Sequence, residues 1–194
     1  MRKKIIAAVT GASGSIYAQR LLQRLGTITD EISECSVVFS ISGESVLDYE
    51  LQLKPKDLTS FTIYDNTDFF APFASGSANY DIMIICPCSM GTIGRIAHGY
   101  SNDLISRAAD VMLKEKKKLI LVPREMPYNL IHIENLKLLA SSGAIICPAS
   151  PSFYSKPQNM DQLIDTVIDK ILKLSGFSIQ TFEWGDTEGI KNDD

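Results

Sequence analysis

Five short apolar runs, residues 5–10, 37–42, 81–86, 119–122 and 144–147, constrain this chain more than any other feature. Each is rich in isoleucine, valine or leucine, and none alternates cleanly with polar residues. A strand with one wet face alternates, whereas a strand covered on both faces does not. The runs therefore predict a parallel sheet between two layers of helices. Helical spacing fills the intervals. Ile16, Leu21, Leu22 and Leu25 form one apolar stripe, and Leu104, Ile105, Ala108, Val111 and Met112 a second. Leu163, Ile164, Val167, Ile168, Ile171 and Leu172 form a third. Strands alternating with helices give a doubly wound, three-layer α/β fold with a mainly parallel sheet.

The 194 residues suit one domain, expected over 1–184, with an acidic tail at 185–194 left to fray. A formal charge of -4 argues against non-specific nucleic-acid binding. The basic cluster at 114–118 reads as a surface turn. No apolar stretch approaches the ~20 residues of a membrane span, and residues 5–9 are too short for a signal core. Cys35, Cys86, Cys88 and Cys147 are too few for a disulfide scaffold, and Cys86-x-Cys88 is not a zinc spacing. They read as reduced thiols in a cytoplasmic protein. Residues 54–79 are irregular and too long for a simple connection, which marks a functional loop.

Ligands of open parallel sheets bind beyond the carboxyl ends of the strands. After the first run comes Thr10-Gly11-Ala12-Ser13-Gly14-Ser15, a glycine turn feeding a helix whose N–H groups suit a phosphate. It lacks the spacing of a dinucleotide fingerprint and the lysine of a Walker loop, and a plain turn is the alternative. Cys86-Pro87-Cys88-Ser89-Met90-Gly91-Thr92 follows the third run, either as a second anion contact or as a helix capped by Ser89. Pro123-Arg124-Glu125-Met126-Pro127 follows the fourth and holds an arginine fork on a stiff turn, or only a surface ion pair. Tyr154 follows the fifth. His98 and His132, the two histidines, read as structural.

These segments resemble the UbiX flavin prenyltransferases, once described as aromatic-acid decarboxylase subunits. The likeness is carried by Thr10–Gly14, Ala71-Pro72 with Ala74-Ser75-Gly76-Ser77, Cys86-Pro87-Cys88-Ser89, and Arg107–Val111 with Leu113-Lys114-Glu115. Leu121–Glu125, Phe153-Tyr154, Pro157-Gln158 and Trp184-Gly185 continue it in family order. The resemblance implies a flavodoxin-like Rossmann fold, FMN, and metal-independent transfer of a dimethylallyl group from its monophosphate to N5 and C6 of the flavin. It also implies a homododecamer with sites at subunit interfaces, and a product used by a separate UbiD-type decarboxylase, as in ubiquinone synthesis. By the same resemblance FMN is held by Gly11, Ala12, Ser13, Ser42, Ser89, Met90, Gly91, Thr92 and Arg124. The prenyl phosphate is held by Lys114, Arg124, Tyr154 and Lys170, with Glu125 nearby and Arg107 in the same basic neighbourhood. Trp184 and the Phe69 region supply an aromatic wall.

The sequence also departs from the family. A glutamate is expected ten residues after the serine matched to Ser42, where Gln52 stands, with Glu50 two residues earlier. An amide cannot serve as a base beside Ser13. Either Glu50 replaces it through a helix shift, or late steps are impaired. Phe69 replaces a common tryptophan, and Lys170 a common arginine, which keeps the charge and loses the fork. Two other readings compete: an FMN-dependent decarboxylase of the cysteine-decarboxylase group, whose early histidine and asparagine motif are missing here, and a non-catalytic flavin-binding subunit, which Gln52 favours.

Overall fold

A computed structural model describes residues 2–182. The chain runs β1 (Lys3–Val9), α1 (Ser15–Thr27), β2 (Ile32–Phe39), α2 (Ile41–Leu51), α3 (Pro55–Leu58) and β3 (Thr62–Tyr64). It continues through β4 (Ile82–Cys88), α4 (Met90–Ala97), α5 (Leu104–Lys114), β5 (Lys118–Pro123), α6 (Leu130–Ser141), β6 (Ile145–Ile146) and α7 (Met160–Ser175). The strands make one sheet of order β3-β2-β1-β4-β5-β6, and all its pairings are parallel.

Each of the five runs contains a strand. β2 begins earlier than its apolar run, at Ile32, and β6 shrinks to two residues. The short edge strand β3 lies inside the segment expected to be a loop. Its three residues are held by backbone pairing to β2, and two are exposed, so no apolar pattern marks it. The other five strands keep the flavodoxin-like order expected of them.

The absence of alternation has the cause proposed for it. Ile5, Ala7, Val9, Ile84 and Val122 face the layer of α1 and α7. Ile6, Ala8, Ile85 and Leu121 face the layer of α4 and α5. Both parities are buried, so both must be apolar. Charge fixes the α1–α7 seam. The Arg20 guanidinium donates through Nε and Nη2 to the two oxygens of Asp165, and Arg24 reaches Asp169 at 2.9 Å. At the other end of α7, Lys3 Nζ donates to the Gly176 carbonyl and Lys118 Nζ to that of Leu174, cations placed at the negative helix end.

Strand order reverses beside β1, so a crevice opens at the carboxyl ends of β1 and β4. Thr10 closes its floor. Its hydroxyl donates to Pro87 O at 3.0 Å and accepts from Ser89 N–H at 2.8 Å. Ser40 N–H donates to Val9 O at 2.9 Å, which fixes the end of β2 beside it. Ile84, with 0% exposure at the sheet centre, has no room to relax. Ile84→Ala is expected to destabilise the fold by about 3 kcal/mol, read from urea unfolding.

Candidate functional site

The glycine turn between β1 and α1 meets α2 directly. A Cβ on Gly11 would lie 2.4 Å from Ser42 Cβ, so only glycine allows this approach. Gly14 caps α1 with φ 106°, a left-handed conformation that other residues enter at a cost. The N–H groups that open α1 are not free, which corrects the expectation that they hold a phosphate. Glu50, near the end of α2, accepts from Gly14 N–H at 3.0 Å and Ser15 N–H at 2.7 Å. A negative side chain of the chain itself occupies the positive end of the helix.

Glu50 also accepts from the Ser13 hydroxyl. Burial alone would raise its pKa. The hydrogen bonds from Ser15 N–H, the Ser13 hydroxyl, Gly14 N–H and the Ser15 hydroxyl outweigh burial, and the pKa lies below the ordinary 4.5. Gln52 caps the end of α2 at φ 54° and has no part in this cluster. The ten-residue spacing expected from Ser42 to Gln52 is met instead by Ser40 and Glu50. Ser40 ends β2 and accepts from Gly43 N–H as the cap of α2. Its place directly after an apolar strand was the signal for it.

Across the crevice Ser89 caps α4. Its hydroxyl accepts from Thr92 N–H at 3.3 Å and lies 3.1 Å from Thr92 Oγ1. The first N–H groups of a helix have no partner within it; at α4 they include those of Met90 and Gly91, while Ser89 takes that of Thr92. The Met90 side chain is buried in the core, so this residue offers its backbone. Arg124 leaves β5 and reaches back to α1: its Cγ would lie 3.9 Å from a Cβ on Gly14. Two hydroxyls, two N–H groups and a guanidinium form a donor set that suits a phosphate monoester.

The remaining expected residues do not gather in one place. Tyr154 and Lys170 lie toward the β6 edge, where a cleft of about 900 Å³ opens between residues 147–157 and α7, lined by Ser150, Ser152 and Lys170. Glu125 and Phe69 are exposed at the carboxyl edge of the sheet, in the turns after β5 and β3. Lys114 is not brought to the site. It ends α5 shortly before β5 begins, at the amino edge, and pairs there with Glu115 at 3.2 Å. Six residues of β5, at about 3.3 Å each, separate it from the Arg124 end. Arg107 donates to Ala74 O at 3.1 Å and so holds the 71–78 segment on α5. Trp184 and the tail 185–194 lie outside the described residues.

Comparison with known proteins decides the family. The family model described as Flavoprotein matches residues 1–172. The flavin prenyltransferase UbiX of Methanocaldococcus jannaschii is 43% identical over 185 residues, 94% of this chain and 98% of that protein. This chain belongs to the UbiX flavin prenyltransferase family. Two solved structures agree. AnUbiX, crystallised with FMN and dimethylallyl pyrophosphate, superposes with a TM-score of 0.87 at 36% identity, over 95% of this chain and 100% of that one. A dodecameric FMN-dependent UbiX-like decarboxylase from Escherichia coli superposes with a TM-score of 0.88 at 36% identity, over 93% and 98%.

The Glu50 cluster has a pH signature. Because its folded pKa is depressed, Glu50 contributes stability that is present above 4.5 and lost as pH falls through the folded value. Glu50→Gln should lower the thermal midpoint at about pH 7, since an amide brings a donor to a set of donors. The gap from wild type should close as pH falls through the folded pKa of Glu50, below which both carry a neutral side chain. A gap independent of pH would show that the carboxylate charge is not what holds α1 and α2 together.

Proposed function

We propose that this chain transfers a dimethylallyl group from dimethylallyl monophosphate to reduced FMN, at N5 and C6 of the flavin, without a metal ion. The observation that carries the reading is the Glu50 carboxylate seated on the Gly14 and Ser15 N–H groups, next to Ser13, at the mouth of the β1/β4 crevice. When bound, reduced FMN supplies the nucleophilic atoms that receive the prenyl group. Gly11, Ala12 and Ser13 line one wall of its site, beside Ser40 and Ser42. Ser89 to Thr92 and Arg124 offer donors to its phosphate.

Breaking an allylic carbon–oxygen bond leaves a cation and a phosphate. Fixed positive charge at the leaving oxygens lowers that barrier most when it is preorganised. Arg124, Lys170 and Tyr154 provide such donors, and Glu125 orients them. The ring of Phe69, exposed at the carboxyl edge of the sheet, offers the cation a π surface that stabilises it and does not react. A proton must also leave the carbon that is alkylated. The released phosphate can take it, and the Ser13–Glu50 pair offers a route away, with Glu50 already ionised and accepting from Ser13. The seat of Glu50 on the α1 N-terminus supports a catalytic reading despite Gln52.

Lys114 completes this reading through assembly. In one chain it stands at the wrong edge of the sheet, so we assign the phosphate contact to Lys114 of the partner subunit in a homododecamer. Exposed apolar side chains support burial between copies: Met126, Leu130 and Ile131 are each at least 70% exposed around the start of α6. The product would pass to a UbiD-type decarboxylase, as in ubiquinone synthesis. No helix among the described residues is long and apolar enough to cross a membrane, and the four cysteines are buried and unpaired, which suits the reducing cytoplasm.

Anaerobic incubation of the reduced FMN protein with dimethylallyl monophosphate should add one five-carbon prenyl unit to the extracted flavin, read by mass. An unchanged flavin mass overturns the proposal. Lys114→Ala and Tyr154→Phe should lower prenyl transfer more than FMN retention. Co-expressed Lys114→Ala and Arg124→Ala chains should regain activity that neither has alone, because mixed oligomers contain some intact sites. No regain would place both residues in one chain's site.

A further inference from the structure

Ser89, Thr92 and Arg95 follow one another at intervals of three along α4, the first as its cap. Helical side chains lean toward the N-terminus, so the Arg95 guanidinium folds back over the first turn. Its Nη2 donates to Thr92 Oγ1 at 3.1 Å, and its Nη1 would lie 3.8 Å from a Cβ on Gly91. A guanidinium only donates. Thr92 Oγ1 therefore spends a lone pair on Arg95, and Ser89 Oγ spends one on Thr92 N–H. One hydroxyl of the pair donates to the other at 3.1 Å, which leaves one hydroxyl proton for an oxyanion arriving at the α4 N-terminus.

Charge placement points the same way. A helix N-terminus is already positive, and the first turn of α4 contains no acid. Arg95 itself stands in the last turn of α4, but its guanidinium reaches back to Thr92 in the first turn, where a cation is disfavoured. Asp103 relieves part of this repulsion at 3.7 Å, but Asp103 also caps α5 through Ser106 N–H at 2.7 Å. Arg95 Nε is buried with no hydrogen-bond partner among the described residues. A dianion at Ser89 and Thr92 would balance this charge.

We propose that Arg95 is a positioning residue for the phosphate of FMN, acting through Thr92 Oγ1 and through its field. The proposal rests on the reading that Ser89 to Thr92 hold that phosphate. The test titrates the full-length chain, freed of flavin, with FMN and with riboflavin, which lacks the phosphate. Arg95→Gln should weaken FMN by about tenfold or more, the scale of one charge-assisted hydrogen bond, and leave riboflavin unchanged. The dependence of FMN affinity on salt should flatten. Arg95→Lys should restore part of the preference for FMN.

Equal weakening of both flavins by Arg95→Gln would mark a merely structural residue and overturn the proposal, and so would no change in either. Thr92→Val separates the two readings. If Thr92→Val abolishes the preference for FMN and Arg95→Gln does not, the phosphate site stands and the role of Arg95 falls. If Thr92→Val also leaves the preference intact, the phosphate is not at α4 and both readings fall.

Discussion

The contact on which the site depends is the Glu50 carboxylate seated on the N-terminus of α1. Little else holds α2 in place. That helix buries only Gly43 and Leu47, and Ile41 and Tyr49 on it are mostly exposed. Its position comes from Leu47, from the close approach of Ser42 to Gly11, and from the carboxylate that takes the first N–H groups of α1. One interaction thus caps a helix, docks a second helix and fixes the Ser13 hydroxyl against an ionised acid. Structural and chemical roles cannot be separated at this residue, because the hydrogen bonds that stabilise the turn are those that depress the pKa.

This seat has a consequence for anions. Two helices begin at the β1/β4 crevice, and each would attract a phosphate by its dipole. At α1 the chain supplies its own anion. At α4 the cap is neutral, the first N–H groups belong to Met90 and Gly91, and the nearest arginine on the helix folds toward them. The two ends are therefore unequal, and the crevice has a direction: an acid–hydroxyl pair on one wall and a cationic, hydroxyl-lined cap on the other. Such a direction orients a cofactor that carries a phosphate at one end and reacting atoms at the other.

The sheet was legible because strands buried on both faces cannot hide their composition, as 81–86 and 119–122 show. The helices α1, α5 and α7 were legible through their stripes. β3 was not, since three residues held by backbone pairing, two of them exposed, carry no pattern. At the site, the segments were readable and the register was not. Counting from Ser42 led to Gln52, whereas the strand ends at Phe39 and the serine that follows it is Ser40. A count that starts from Ser40 reaches Glu50 in ten residues, and one that starts from Ser42 reaches Gln52. Only the path of α2 shows that Glu50 reaches Ser13. The place of Lys114 was equally hidden, because sequence proximity to Glu115 and β5 says nothing about which edge of the sheet a helix ends on.

That last point bears on why an enzyme of this kind would assemble. Ionising an allylic phosphate calls for several cations around one leaving group, and a single chain that gathered them all beside Arg124 would hold them against mutual repulsion in the unliganded state. Dividing them between copies lets each fold with its charges apart. Lys114 then rests against Glu115 at one edge, and Arg124 lies over the α1 cap at the other. Burying the exposed apolar residues around α6 would, on the proposed reading, supply the association energy that brings such charges together. On the proposed reading, assembly is the step that builds the electrostatic part of the site, and the fold of each chain supplies the part that handles protons.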